Sequence, residues 1–412
     1  MKVAYVLSRY PTLTETFIRA ELQALLLAGV DLHIYPLRGD QNTAWIIKSL
    51  SDGGVSEHVR RFGFALLPAN IMCTLGLALS DWGRFYRAVQ LFWRTRPAGW
   101  RAGVKALFIL PKACRIAVHM REWGGEHVHA HFANLPAAAA AFIGNLLEIP
   151  FSFTAHAFDI YGRDATSLNR LTTAAYFAVT ISQRNRAYLA EGMNKDVAAR
   201  IHVIHCGVDK SWFTGTGPAD GPFVAIGRLV PKKGFHVLVE AMELLTQRGI
   251  DARCEIIGDG EQRRELERSI ALRGLKDRVV LLGPLPPEKV RERLARARAF
   301  VLPCHKAPDG DMDGIPVSLM EAMAMQKLVV STAVSGIMEL VTNEQTGLLV
   351  PEKDPQALAD TLESLLAGRI DAAAIGQRAC AVVAAEFDSH RNAHSLLQLM
   401  TQHMNTGDSN GM

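Results

Sequence analysis

Short apolar runs alternate with amphipathic segments along this chain, and the alternation happens twice. In the first half Val3–Leu7, Asp31–Pro36, His127–Ala130, Phe151–Thr154, Tyr176–Ile181 and Ile201–Ile204 have the length and composition of strands. Between them lie segments of helical period: Thr14–Leu27, closed by Gly29, the alanine-rich Pro136–Leu147, and a helix opening at Ser182. Thr214–Pro222 is rich in Gly and Pro and has no apolar period, which predicts a domain boundary. The same grammar then restarts. Strands are expected at Phe223–Ile226, Ala252–Ile257, Val279–Leu282, Ala299–Pro303, Leu328–Ser331 and Gly347–Val350. Helices are expected within Lys233–Gln247, Pro355–Leu366, Ala372–Phe387 and His390–Met404. This pattern predicts two α/β domains with parallel sheets, facing each other across a cleft at the carboxyl ends of their strands. The expected division is residues 1–212, residues 213–388, and a final helix and tail, 389–412, with the helix packing back on the first domain.

A helical insertion, about residues 57–125, interrupts the first half. From Trp82 to Arg121 the charged residues are Arg84, Arg87, Arg94, Arg96, Arg101, Lys105, Lys112, Arg115 and Arg121, with no acid among them. Trp82, Phe85, Tyr86, Phe92, Trp93, Trp100 and Phe108 interleave with these cations. Basic and aromatic residues at helical spacing fit a membrane-surface face, or a basic helix pair covering a core. Phe62–Ser80 carries no charge and nears the length of a membrane span, but Gly63, Pro68, Asn70 and Gly76 weaken it. A core helix or shallow insertion is expected there.

Composition adds limits. A chain of 412 residues is too long for one ordinary domain, and a net charge of +4 is too small to suggest a nucleic-acid partner. The six cysteines form no CxxC pair, which argues against a zinc knuckle or a disulfide framework and fits a reducing cytosol. Lys2–Leu7 is only strand length, too short for a signal peptide.

The candidate chemistry falls at predicted strand ends. Thr14 and Glu15 follow the first strand and fit either a helix cap or acceptor binding. His156 follows Phe151–Thr154, placed to meet a substrate, and Asp159 could orient one of its ring nitrogens. His129 and His131 flank a neighbouring strand end, but no spacing typical of a metal site supports a metal. Arg228 and Lys233 leave the strand at Gly227 and can turn toward one anion, as a fork and a point charge. Asp309–Met325 runs from an acidic loop into a helix, with Pro316 expected at the first helical position. The first-turn amides there face whatever Asp313, Gly314 and Ile315 hold, an anion site bracketed by Asp313 and Glu321. Two cations, a helix N-terminus and two acids can neutralise a departing diphosphate without a metal.

These segments resemble the family 4 retaining glycosyltransferases, which have the GT-B fold of two facing Rossmann-like domains. The resemblance rests on Gly227-Arg228-Leu229 with Lys232-Lys233-Gly234, on Ile257-Gly258-Asp259-Gly260, and on Asp313-Gly314-Ile315-Pro316 through Glu321-Ala322-Met323-Ala324. Val329–Thr332, Glu339-Leu340-Val341 and Gly347–Pro351 extend it across the second domain. In the first domain Glu15–Ile18, His129–Ala133 and Phe151–Tyr161 resemble exopolysaccharide enzymes of the colanic-acid type. The resemblance implies catalytic roles for His156, Asp313 and Glu321. It implies donor binding by Arg228, Lys233, Gly314, Ile315, Pro316, Val317 and Glu321, with Glu321 on the ribose and Asp313 on the donor sugar. Thr14, Glu15 and His131 would meet the acceptor. Where the broad family has a glutamate, this chain has Asp313, one methylene shorter. A UDP- or GDP-sugar would be co-substrate, with no cofactor and no metal. A lipid-linked oligosaccharide would be acceptor, at the cytoplasmic face of the plasma membrane, in exopolysaccharide synthesis. A nucleotide-sugar epimerase on the same fold and a non-catalytic scaffold of a polysaccharide assembly complex are the alternatives.

Overall fold

A computed structural model of the protein describes residues 1–12, 15–39, 54–209, 213 and 220–405. They form two compact units, Met1–His205 with His390–Met412, and Cys206–Ser389. The linker expected at Thr214–Pro222 and the tail from Thr406 fall largely outside the described residues.

The first unit is built on a parallel six-stranded sheet: β1 (Lys2–Leu7), β2 (Asp31–Pro36), β3 (His127–His131), β4 (Phe151–Ala155), β5 (Phe177–Thr180) and β6 (Ile201–Val203). The strand order is β2-β1-β3-β4-β5-β6. Its direction reverses between β1 and β3, so the loops after those strands flank a switch point, where open α/β sheets bind ligands. The helices are α1 (Thr16–Leu27), α2 (Pro68–Ser80), α3 (Trp82–Thr95), α4 (Trp100–Trp123), α5 (Leu135–Leu147), α6 (Ala157–Tyr161), α7 (Ala165–Ala174), α8 (Gln183–Ala190) and α9 (Lys195–Ala199). On one face Ile18, Leu22 and Leu25 of α1 pack with Val3 and Tyr5, and Ala393, Leu396 and Met400 of the C-terminal helix join the same core. On the other, α5 is buried almost throughout. Its run Ala137–Ala141 lets Phe85, Ala88 and Phe92 of α3 and Ile109, Ala113 and Ile116 of α4 approach closely. The insertion helices therefore do cover a core, but with one face each.

The second unit repeats the plan with β7 (Phe223–Ile226), β8 (Cys254–Ile257), β9 (Val279–Gly283), β10 (Phe300–Val301), β11 (Val329–Thr332) and β12 (Leu348–Val350). Their order is β12-β11-β10-β7-β8-β9, and every pair is parallel. This is the doubly wound order, with its switch point between β7 and β10. The helices are α10 (Phe235–Gln247), α11 (Arg263–Leu272), α12 (Pro287–Arg296), α13 (Val317–Ala324), α14 (Ile337–Leu340), α15 (Pro355–Leu366) and α16 (Ala372–Glu386), followed by α17 (Ser389–Asn405), which enters the first unit. The basic loop after β7 and the acidic loop after β10 are thus neighbours, although about 80 residues separate them.

Candidate active site

In the second unit, glycines set how closely the loops approach. A Cβ on Gly234 would lie 1.9 Å from the Pro303 carbonyl oxygen, and one on Gly258 1.9 Å from that of Gly227. Only glycine lets the loops after β7, β8 and β10 close on one another this way. The short turn Pro231–Lys233 then aims both lysines at the β10 loop. Lys233 Nζ lies 2.7 Å from Asp313 Oδ2, and Lys232 Nζ lies 3.5 Å from Asp313 Oδ1 and 3.0 Å from Asp311 Oδ2. The Cys304 thiol also faces Asp313 Oδ2, at 3.5 Å. Burial would push Lys233 down and Asp313 up, but their pairing outweighs it. Lys233 ends above its ordinary value and Asp313 below, with Lys232 assisting the latter.

Arg228 is exposed beside this pair. The Ser318 hydroxyl donates to the Ile226 carbonyl at 3.1 Å, pinning the start of α13 to the end of β7. Pro316 is the N-cap and not the expected first helical residue, which is Val317; Leu319 N–H closes a tight turn on the Pro316 carbonyl at 3.0 Å. The amides of Val317 and Ser318 still precede any i→i−4 acceptor, so the helix keeps a positively polarised end. Gly314 and Ile315 are buried in the lead-in, and Glu321 is buried on the second turn.

In the first unit, polar side chains line the core face at the β1/β3 switch point. The period-2 pleat turns His127, His129 and His131 to one side, beside Tyr5. His129 Nδ1 faces Ser152 Oγ at 2.8 Å and its Nε2 faces Thr154 Oγ1 at 3.0 Å. His131 Nδ1 meets His156 Nε2 at 3.2 Å, and its Nε2 meets Glu21 Oε1 at 2.9 Å. Asp159 does not orient a ring nitrogen of His156 with its carboxylate. Its Oδ1 instead accepts from the His156 main-chain N–H at 2.8 Å and its Oδ2 from Ala133 N–H, because α6 starts at Ala157 and puts Asp159 in its first turn. Burial raises Asp159 to about 7 despite these bonds. Burial holds His129 and His156 well below their ordinary value, so both are neutral near pH 7.

Glu15 is the N-cap of α1, which begins at Thr16. Thr14 lies outside the described residues. Glu21, His129 and His131 bring ligand atoms within 4.8 Å of one another and could reach a metal ion. Such an ion would displace the hydrogen bonds that both rings make. Sequence reasoning assigned no role to Glu21, Lys232, Asp311 or Cys304. For Glu21 the signal was available in part, since three histidines alternating on one buried strand need hydrogen-bond partners from the elements packed against them.

Residues 216–381 match the family model described as glycosyl transferases group 1, and residues 52–212 match that of glycosyltransferase family 4. The WcaL glycosyltransferase assigned to colanic acid biosynthesis in Salmonella typhimurium LT2 is 32% identical over 407 residues, covering 89% of this chain and 93% of that protein. The amylovoran biosynthesis glycosyltransferase AmsK of Erwinia amylovora is 41% identical over 177 residues, 43% of this chain and 44% of that protein. Among solved structures, Anabaena Alr3699/HepE in complex with UDP superposes with a TM-score of 0.71 at 17% identity, covering 98% of this chain and 100% of that one. Sucrose-phosphate synthase from Thermosynechococcus elongatus gives 0.71 at 22% identity, again covering 98% and 100%. These two establish a common fold, GT-B. With a relative aligned along nearly its whole length and both halves matched by glycosyltransferase models, the chain belongs to the family 4 glycosyltransferases of the exopolysaccharide type.

Proposed function

We propose that this glycosyltransferase moves a sugar from a nucleotide-sugar donor, UDP- or GDP-linked, to a lipid-linked oligosaccharide, with retention of anomeric configuration and without a metal. The observation that carries the donor site is the paired Lys233 and Asp313 beside the α13 N-terminus at the second unit's switch point. Arg228, Lys233 and the amides of Val317 and Ser318 hold the diphosphate, while Glu321 takes the ribose hydroxyls. Asp313 meets a hydroxyl of the donor sugar, still neutralised by Lys232 once Lys233 is shared with phosphate. The acceptor hydroxyl attacks the anomeric carbon on the face that the diphosphate leaves. The C–O bond to phosphate breaks, the new glycosidic bond forms, and the departing phosphate oxygen takes the acceptor's proton. Preorganised positive charge on the leaving group lowers the barrier. His156 contacts the reacting sugar, and His131 and Glu15 the acceptor. A thermal-shift screen against UDP-, GDP- and ADP-sugars tests the donor site. A donor at 100 times its Kd adds ~2.7 kcal/mol to stability. The UDP- or the GDP-sugar is expected to stabilise the protein, and Glu321→Ala to abolish that shift. No stabilisation by any of them would contradict the site.

Membrane association of the same enzyme is supported by α2–α4. No helix among the described residues is long and apolar enough to cross a membrane. Yet α2 buries only Asn70 and Leu77, and exposes Ile71, Met72, Leu75 and Leu79, the last at 87%. Phe64 contacts Phe108, linking this face to α4, where Trp100 and Leu107 are also exposed. Arg87, Arg94, Arg101 and Lys105 are exposed on α3 and α4. Exposed apolar side chains on helices that also expose cations suit shallow insertion among anionic headgroups, each cation adding ~1 kcal/mol near the surface. The face would hold the enzyme at the cytoplasmic side of the plasma membrane, beside a lipid-linked acceptor. Vesicles rich in phosphatidylglycerol are expected to sediment the protein at low salt and to release most of it at high salt. Leu79→Ser with Trp100→Ser should abolish binding in both. Failure of the wild type to bind at low salt would overturn this part alone.

A further inference from the structure

Glu21 belongs to none of the motifs assigned above. It lies on the second turn of α1, and its Oε1 meets the Tyr5 hydroxyl at 2.8 Å and His131 Nε2 at 2.9 Å. An ionised carboxylate only accepts hydrogen bonds, so both partners donate to it and His131 Nε2 carries a proton. His156, which burial keeps neutral, accepts from the Asp159 main-chain N–H at one ring nitrogen, so its Nε2 carries the proton and donates to His131 Nδ1, 3.2 Å away. What remains on His156 is the Nδ1 lone pair. The ring faces the Asp159 main-chain N–H in the capping box that opens α6, and a peptide N–H only donates. The two ends of the chain agree: an acceptor-only group at Glu21 and a donor-only group at Asp159. Reversed, the chain would set a lone pair against the carboxylate and two N–H groups against each other.

We propose that Glu21 is a positioning residue which, through His131, fixes the Nε2–H tautomer and the ring orientation of His156. Phe17 and Phe132 flank the imidazole, with ring centroids at 4.9 and 4.8 Å, and leave the ring little room to turn. Burial keeps His156 neutral, so the choice it retains is between tautomers. The consequence is specific. While the chain is intact, both ring nitrogens of His156 are turned to the protein, and a sugar hydroxyl that needs the Nε2–H must compete with His131 for it. The functional part of this inference rests on His156 serving the reacting sugar; the tautomer part does not.

The test uses the full chain with histidine labelled on both ring nitrogens. Long-range proton–nitrogen spectra distinguish the tautomers, and loss of signals in His156→Gln and His131→Asn assigns them. Wild-type His131 and His156 are expected to show the neutral Nε2–H pattern. In Glu21→Gln, whose amide can donate as well as accept, His156 should become a mixture. In sugar transfer, Glu21→Gln should lower kcat about ten-fold, the scale of losing a partner that orients a functional histidine, with the donor KM held within about two-fold. Glu21→Asp should restore part of the loss. In a His131→Asn background Glu21→Gln should cost nothing further. A wild-type Nδ1–H pattern at His156 would overturn the proposal, as would an equal cost of Glu21→Gln with and without His131. So would stoichiometric zinc binding that moves the His131 signals, since the ion would replace the chain. Absence of any sugar transfer would count against the proposed function, while the spectra would still decide the tautomer.

Discussion

Lys233→Ala is expected to lower kcat/KM for sugar transfer by about 10²–10³-fold, the usual cost of removing one preorganised group from a developing negative charge. In the proposed role Lys233 would be held in place before any donor arrives. Its ammonium lies against Asp313 at 2.7 Å, and the turn that carries it is fixed by Gly234. A diphosphate bound there would add a second anion to an existing ion pair, so the lysine would need little reorganisation. The same substitution leaves a buried carboxylate short of its nearest partner, which typically costs about 3–5 kcal/mol. Lys232 at 3.5 Å and the Cys304 thiol remain, which places the cost at the low end of that range. The pH behaviour has a definite sign. Asp313 sits below its ordinary value in the folded protein. The stability it confers is therefore complete above the unfolded carboxylate value near ~4 and is lost as pH falls through its lowered folded value. Lys233→Ala should flatten that acid limb. Equilibrium denaturation at several pH values, beside initial rates, separates the two effects. Wild-type rates in the variant would mean that Lys233 does not serve the leaving group.

Gly234→Ala should be among the most damaging of the single added methyls. A side chain can adopt its backbone, at φ +68°, for a modest cost, but the new Cβ would sit 1.9 Å from the Pro303 carbonyl oxygen. That contact is backbone against backbone, so no rotamer change relieves it. The β7 loop must move away from the end of β10, and Lys233 moves with it. Destabilisation of about 3–5 kcal/mol is expected, the tail of the range for single substitutions. Donor binding should fall even where the protein remains folded. Gly249→Ala is the control, because its Cβ meets nothing within 4 Å although its φ is +73°. It should cost only the backbone term, about 1–2 kcal/mol. Chemical denaturation of both variants checks the difference.

Much of this could be read from the sequence, and the rest has physical reasons for being hidden. Local patterns survived. Helix α15 runs Pro355–Leu366 as the period predicts, with Asp354 as its cap, and β7 spans Phe223–Ile226 as expected. Strand β10 is two residues, not the expected five, because pairing to β7 and β11 is short although the apolar run is longer. Helix α12 escaped notice, since only Leu294 of its ten residues is buried and its apolar stripe is reduced to Pro287, Val290 and Leu294 among charged residues. Helix α6 escaped because five residues carry no period; its mark is the cap formed by His156 and Asp159. At the site, loops that follow strands could be found one by one. Their pairing could not. The contact of Lys233 with Asp313 depends on β7 and β10 being neighbours, and that of Glu21 with His131 on how α1 lies over β3. Strand order and helix packing set these, and neither is written in a local pattern.

The central claim is that the loops after β7 and β10 form a nucleotide-sugar clamp that drives transfer. The most direct measurement is the initial rate of labelled sugar transfer to a lipid-linked acceptor, using the donor found by thermal shift. It compares the wild type with Lys233→Ala and Glu321→Ala, each confirmed folded by circular dichroism. The account predicts transfer by the wild type with retained anomeric configuration, and loss of about 10²-fold or more in both variants. Transfer by both variants at the wild-type rate would contradict it.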